Sequence, residues 1–352
     1  PASPAELSFV ETPGYGQGMA LDGARLVVSR TTEDNPTRGE LRIFDLSNAR
    51  QPQEVGVYVA ETPLGDTMAI QGDVVYVANG DSQLSLLDIS NPAAITLLGS
   101  VDLPWVQQIV AEGDYVYAAD EGGLHIVDVG DLAAPLLVGR FDTQYRVPLS
   151  LAVTGRYAFF TDSATDDEVP AALGAVRVID LAAPTQPTLA ASYRSTARWP
   201  YFVALDQSQA AGVLYLATGD GLEAVDVSSP MRPVRLGRAV LPLHGADVAL
   251  DGHVAYLALA DQGLLAVDIR DPARPEVLGR YSAAAPGKVS AMALDKRSGA
   301  PARAYAYQVV LQAWDRATGA AVGEPGLRIV DVTDPAQPAG MAFLPLEIDE
   351  DG

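Results

Sequence analysis

The 352-residue sequence predicts an all-β fold, a seven-bladed β-propeller with four antiparallel strands in each blade, on three observations. A segment of the form "LHIVDVGDLAAPLLVGRF" (124–141) recurs seven times, and a hairpin signature precedes the copies. Helical periodicity is nowhere sustained for three turns. A four-stranded sheet of about 40–45 residues cannot bury both faces alone, whereas radial stacking covers both and leaves only short edges. An eight-bladed ring, or a piece of a longer repeat array, is the alternative.

The seven copies are 41–58, 84–101, 124–141, 176–193, 222–239, 264–281 and 327–344. They share Asp45, Asp88, Asp128, Asp180, Asp226, Asp268 and Asp331, spaced by 43, 40, 52, 46, 42 and 63 residues. Each copy supplies two strands, c ("LHIVDV") and d ("PLLVGRF"), joined by a turn rich in Ser, Asn, Asp and Pro. Strands a and b come from upstream stretches such as "MAIQGDVVYVA" (68–78) and "IVAEGDYVYAA" (109–119), in which a tight Gly-Asp or Asp-Gly turn separates apolar runs. Small residues on strand a (Ala20, Ala69, Ala152, Ala204, Ala249, Ala293) suit the crowded centre, and the larger Leu, Val and Ile of c and d suit the wider rim. The shared aspartate stands at the end of strand c, where a carboxylate accepts backbone N–H groups and holds the turn. Its sevenfold recurrence points to structure, since a catalytic residue does not occur once per blade.

The recurring "L-x-I-V-D-V-x-D-P" with "LVG" downstream resembles the LVIVD repeat, a bacterial and archaeal family. Over residues 5–345 the resemblance implies a β-propeller of a surface or secreted protein. It implies no catalytic motif.

The domain reading is one propeller over 1–346 with an acidic tail or linker, "EIDEDG", at 347–352. The opening "PASPAELSFVETPG" is similar to a Pro-turn and strand d. It either closes the ring in the last blade or marks a chain cut from a longer one. It has neither the basic start nor the apolar run of a signal peptide, so any targeting segment is removed or lies upstream.

Because successive strands reverse, the a–b and c–d turns emerge at one end of the propeller and the b–c and d–a connections at the other. The first end has short, similar turns and reads as a structural floor. The second carries three insertions, at 29–40, 161–175 and 312–326, and all three tryptophans. Exposed aromatics on variable loops over a rigid scaffold are where binding concentrates. The candidate ligand-binding residues are Tyr15, Trp105, Tyr145, Arg146, Arg198, Trp199, Tyr201, His244 and Trp314. Aromatic faces with Arg and carboxylates nearby suit sugar rings or a peptide. The bland reading is that these side chains plug the channel mouth or pack between blades.

Asp162, Asp166, Asp167 and Glu168 gather four carboxylates in seven residues and form a weak calcium candidate. They lack the ordering of an EF-hand loop, and a solvated charge run is the competing reading. No other cofactor is expected. His125, His244 and His253 are single and distributed over different repeats, which disfavours zinc.

Catalytic signatures are missing: no G-x-S-x-G, H-E-x-x-H or P-loop occurs, and there is no cysteine. The enzyme alternative is a carboxylate-based glycosidase or lyase in the central funnel, using Asp66 or Asp247 with Arg198. The net charge of −22, with Lys288 and Lys296 the only lysines, disfavours nucleic acid and anionic bilayers as partners. No apolar run is long enough for membrane insertion. The sequence thus leads to a non-catalytic recognition module of a secreted or cell-surface bacterial protein, binding an extracellular glycan or peptide. A spacer packed against neighbouring domains of the same polypeptide is the other non-catalytic reading.

Overall fold

The computed structural model describes residues 16–31, 38–48, 52–79, 82–104, 106–120, 122–143, 147–163, 175–195, 200–206, 212–241, 245–259, 263–282, 288–297, 303–311, 313–314, 321–322 and 326–345. They form seven four-stranded antiparallel sheets, each in the order a-b-c-d, and one short two-stranded ribbon. The blades span 16–60, 64–102, 106–142, 147–194, 200–240, 245–282 and 288–345, numbered 1 to 7 below. A single short 3-10 turn, Pro92–Ala94, is the only helical element among the described residues.

Inner strands of successive blades pack side by side, and strand a of blade 1 (Gly16–Asp22) meets strand a of blade 7 (Lys288–Arg297), which closes the ring. Blade 7 takes all four of its strands from 288–345, its outer strand being Ala339–Pro345. The strand-like opening segment 1–15 lies outside the described residues.

The core is divided among the blade interfaces. Each of the seven neighbouring pairs shares its own apolar cluster, such as Tyr215, Leu222 and Ala224 against Leu257, Leu265 and Val267 between blades 5 and 6. The 7–1 interface is closed in the same way by Tyr305, Tyr307 and Ile329 against Leu26, Phe44 and Leu46. Alternation along the strands explains this division, because successive side chains face opposite neighbours. A large residue at mid-strand b (Tyr76, Tyr117, Phe159, Tyr215, Tyr256, Tyr307) is buried in six blades. Two of these tyrosines also reach across, Tyr215 donating to the Ile269 carbonyl at 3.4 Å and Tyr256 to that of Val332 at 3.2 Å.

The c–d turns of the floor are as uniform as the repeat implies, while the a–b connections, expected to be short throughout, are longer in blade 5 (Asp206 to Val213) and blade 7 (Arg297 to Arg303). In all seven blades the shared aspartate accepts the N–H two residues on, at 2.7–2.9 Å: Ser47, Ser90, Gly130, Ala182, Ser228, Arg270 and Thr333. In six blades the residue after the aspartate donates its own N–H to the a–b connection, as Val129 does to Asp114 at 2.8 Å, and in blade 7 Val332 donates to Ala304 on strand b. In five blades that connection is a two-residue loop opening with a glycine at positive φ (Gly23, Gly72, Gly113, Gly155, Gly252). The structural role expected of the aspartates is therefore observed at every copy.

Candidate functional site

The opposite end begins where strand a enters the ring. There strand a shifts register against strand b in every blade, leaving an extra residue such as Gln107, Leu149, Tyr201, Ala246 or Ser290. The residue just past the shift is Gln108 in blade 3, Ser150 in blade 4 and Asp247 in blade 6, and each side chain holds the next blade. Gln108 Oε1 accepts the Leu151 N–H at 2.5 Å, Ser150 Oγ the Val203 N–H at 3.1 Å, and Asp247 Oδ2 the Met292 N–H at 2.8 Å. In blade 1 the equivalent residue is Gly18, which has no side chain to offer. There Ser29 on strand b takes over, accepting the Gly18 N–H at 3.0 Å and donating to the Gly65 carbonyl of blade 2 at 2.7 Å. These latches tie the loop-bearing rim together.

Asp247 is fully engaged, since its Oδ1 also accepts the Val248 N–H at 2.7 Å. The residue as a whole is only partly buried, yet its carboxylate sits away from water. That desolvation pushes its pKa up to about 7, against the two N–H donors.

A second polar layer lies three residues before each shared aspartate, on the face of strand c that meets the preceding blade. The seven residues there are Arg42, Ser85, His125, Arg177, Glu223, Leu265 and Arg328. Six are polar, and each has a different partner. Arg42 joins Glu40 and Glu54, with Arg30 also on Glu40. Ser85 accepts from Asn79 at 3.3 Å, and Arg177 donates to Ser192 at 2.9 Å. Arg328 donates to Gln308 at 3.4 Å, and Gln308 in turn donates to the Gly263 carbonyl of blade 6 at 3.2 Å. Desolvation holds the Arg328 guanidinium below its ordinary pKa.

His125 and Asp120 form a buried pair, Nε2 to Oδ2 at 2.8 Å, while Asp120 Oδ1 accepts the N–H groups of Gly122 and Gly123, each at 2.7 Å. Burial pushes the Asp120 carboxyl up, but His125 and the two backbone donors outweigh it and hold it below the usual range. This closes the b–c turn of blade 3 and leaves His125 inside the interface.

Glu223 is fully buried between blades 4 and 5 and accepts from the Tyr193 hydroxyl at 2.5 Å and from Ser195 Oγ. Burial, and then the hydrogen bond to Glu223, raises the Tyr193 pKa. Glu223→Leu is expected to lower stability by ~1–3 kcal/mol, because it removes the acceptor of two hydroxyls placed inside the interface. Urea unfolding of this variant, of Tyr193→Phe and of the double variant reads the coupling. Strict additivity of the two single effects would dismiss the pair.

The sequence candidates that fall within described elements lie on this same end. Tyr201 is the extra residue of blade 5 strand a (Pro200–Asp206), at the rim. Trp314 lies in the ribbon Ala313–Trp314 paired with Ala321–Val322, inserted between strands b and c of blade 7. Asp162 is near the end of strand b of blade 4 (Tyr157–Ser163), beside its b–c insertion. Asp66 falls within the register shift of blade 2 strand a (Leu64–Gln71). Tyr15, Trp105, Tyr145, Arg146, Arg198, Trp199 and His244 lie outside the described residues, as do the calcium candidates Asp166, Asp167 and Glu168. Among the described residues, no group of three or more His, Asp or Glu is placed to hold a metal ion, and no helix is long and apolar enough to cross a membrane.

The latches and the strand-c polar layer were missed in the sequence. A partial signal was present: Ser150 and Asp247 lie two residues before the small strand-a residues Ala152 and Ala249, as Gly18 does before Ala20.

The architecture defines a seven-bladed repeat propeller. The LVIVD repeat profile matches residues 65–103, 105–143, 244–283 and 320–342, so the chain carries LVIVD repeats in blades 2, 3, 6 and 7. Blades 1, 4 and 5 share the strand order and the aspartate turn without matching that profile. A protein from Lactobacillus plantarum has a similar structure, with TM-score 0.64 and 14% identity over 93% of this chain and all (100%) of that one. A functionally unknown protein from Desulfotomaculum acetoxidans is similar with TM-score 0.62 and 11% identity, over 78% of this chain and 87% of that one. BamB from Moraxella catarrhalis is similar with TM-score 0.51 and 14% identity, over 88% of this chain and 82% of that one. At such identities the likeness is one of fold. A comparison with curated proteins found no match.

Proposed function

We propose that this propeller is a non-catalytic recognition module of a secreted or cell-surface bacterial protein, and that it binds an extracellular glycan or peptide on its loop-bearing end. One observation carries the reading: the two ends of the ring are built differently. The floor repeats one turn seven times, while the other end changes its connections and its buried polar partners from blade to blade. A repeat protein that only needed to close would have no use for that variety. The latches hold the strand entries rigid, which is what a binding surface on loops requires of its scaffold.

The carboxylate-enzyme alternative has one observation in its favour, the raised pKa of Asp247 near the funnel. Both oxygens of that carboxylate already accept backbone N–H groups, which favours a structural part for it. The spacer alternative predicts instead a loop-bearing end covered by a neighbouring domain.

A glycan and peptide array screen tests the proposal, run with calcium and with chelator on the protein and on a Trp105→Ala/Trp199→Ala variant. Selective binding that the folded variant loses is the expected result, and loss on chelation would assign calcium to the 162–168 loop. Absence of selective binding under both conditions would overturn the recognition reading in favour of the spacer.

A further inference from the structure

At the loop-bearing end, the interface between blades 7 and 1 is built differently from three of its counterparts. There a residue at the entry of strand a pairs with the top of strand b: Leu64 with Asn79, Val106 with Asp120, and Val289 with Val310. Leu64, Val106 and Val289 are buried in the apolar cluster shared with the preceding blade. In blade 1 the corresponding pair is Gly16 and Arg30, so the position that holds an apolar side chain in those blades holds none. Alternation along strand b puts Arg30 on the same side as Leu26, a member of the 7–1 cluster, and so directs it into that interface.

Arg30 is only 5% exposed. Its Nε donates to Glu40 Oε2 at 2.7 Å, and its Nη2 lies 2.6 Å from the same oxygen. Arg42 donates to that oxygen as well, from Nε at 3.1 Å, and from its Nη1 to Glu54 at 2.7 Å. Arg30 Nη1 is buried and has no hydrogen-bond partner. The equivalent side chains of blades 2, 3 and 5 close their own b–c turns. Asn79 accepts the Gln83 N–H at 3.0 Å, Asp120 accepts those of Gly122 and Gly123, and Thr218 donates to the Gly221 carbonyl at 3.0 Å. Arg30 makes no such bond. A guanidinium presents its donors on more than one side; Glu40 takes the Nε side, and Nη1 belongs to the other. A buried cationic donor without an acceptor is costly, and the acceptor that suits it best is an anion.

We infer that Arg30 is a recessed anchor for a carboxylate side chain of a peptide ligand bound on the loop-bearing end. This rests on the recognition reading above and names the chemistry of its ligand. The interface already admits one such arm, that of Glu40, against the first side of the guanidinium. An aspartate or glutamate arm entering beside Gly16 meets the second. A carboxylate mounted directly on a sugar ring has no arm with which to reach a buried nitrogen, which favours the peptide.

The test is ligand-observed saturation-transfer NMR on the intact protein with three probes: N-acetylglutamate α-amide, N-acetylglutamine α-amide and methyl galacturonate. Arg30→Lys is measured beside wild type, because lysine keeps a charge for Glu40 but offers no second set of guanidinium donors. Should that variant melt lower, Arg30→Gln/Glu40→Gln replaces it. The glutamate probe is expected to bind wild type at least about tenfold more tightly than the glutamine probe, and the variant is expected to lose that preference. Equal binding of the two amino-acid probes, or a preference that survives in the variant, would overturn the inference while leaving a positive array result intact. So would transfer to none of the probes, the result expected if Nη1 meets only a buried water. Galacturonate binding that the variant abolishes would overturn the assignment to a peptide.

Discussion

Gly139→Ala is expected to lower the stability of the protein by on the order of 1–3 kcal/mol, as steric overpacking does in a close-packed interior. A Cβ built on Gly139 would stand 1.9 Å from the Pro184 carbonyl oxygen, in the c–d turn of the next blade. Backbone cannot rotate aside as a side chain can, so relief requires blades 3 and 4 to part. The same approach occurs at Gly56 (2.0 Å from the Pro92 carbonyl oxygen), Gly99 (2.5 Å from that of Leu132), Gly237 and Gly279 (each 2.4 Å from that of Ala273 or Ala336). The glycine of the "LVG" motif is thus an interface residue, reserved for the neighbour's turn. Gly72→Ala is the control: it has φ +61° with no atom within 4 Å of the added carbon, so only the left-handed backbone cost of ~1–2 kcal/mol applies. Urea midpoints for the two variants decide the matter. A Gly139→Ala protein as stable as wild type would refute the packing argument.

The second large effect concerns pH. Asp247 has a pKa pushed up to about 7 in the folded protein, against an ordinary value of 3.8. The folded state therefore holds this proton more tightly than the unfolded chain does. Its contribution to stability is full below pH 3.8, falls as pH rises toward 7, and is absent above. A tenfold difference in proton affinity between the two states corresponds to about 1.4 kcal/mol, so the change across the window is on the order of a few kcal/mol. Asp247→Asn removes the titration while keeping one acceptor for the two N–H groups. Urea unfolding from about pH 5 to 8 is expected to show wild type losing stability relative to the variant across that range. Self-repulsion of the highly acidic chain acts on both proteins and cancels in the difference. Parallel curves for the two proteins would show that Asp247 titrates normally.

Much of the scaffold was legible in the sequence because its signals are local. The Asp–turn pairing requires only a carboxylate and an N–H two residues later, and all seven copies show it. The hairpin glycines and the alternation of strands b and c are equally local, and together they determined strand number, blade number and which connections share an end. The candidate binding residues were assigned from that topology. Tyr201 and Trp314 do fall at the rim and in the blade 7 insertion, as the strand order required.

What the sequence by itself determined, then, was the repeating unit and the polarity of the ring: four strands, a turn held by one aspartate, seven times over. Only the tertiary structure decided how neighbouring units recognise each other. Gln108, Ser150 and Asp247 are an amide, a hydroxyl and a carboxylate that share only an acceptor oxygen, and their equivalence shows only when their strands are aligned in space at the same register shift. Glu223 looks like a lone charge in a strand until it is seen against Tyr193 and Ser195 of the preceding blade. The physical reason is that a blade's own ladder hydrogen bonds join residues close in the chain, whereas its latches and its buried glutamate are satisfied by the neighbouring blade, with Leu151 43 positions from Gln108, Met292 45 from Asp247 and Tyr193 30 from Glu223.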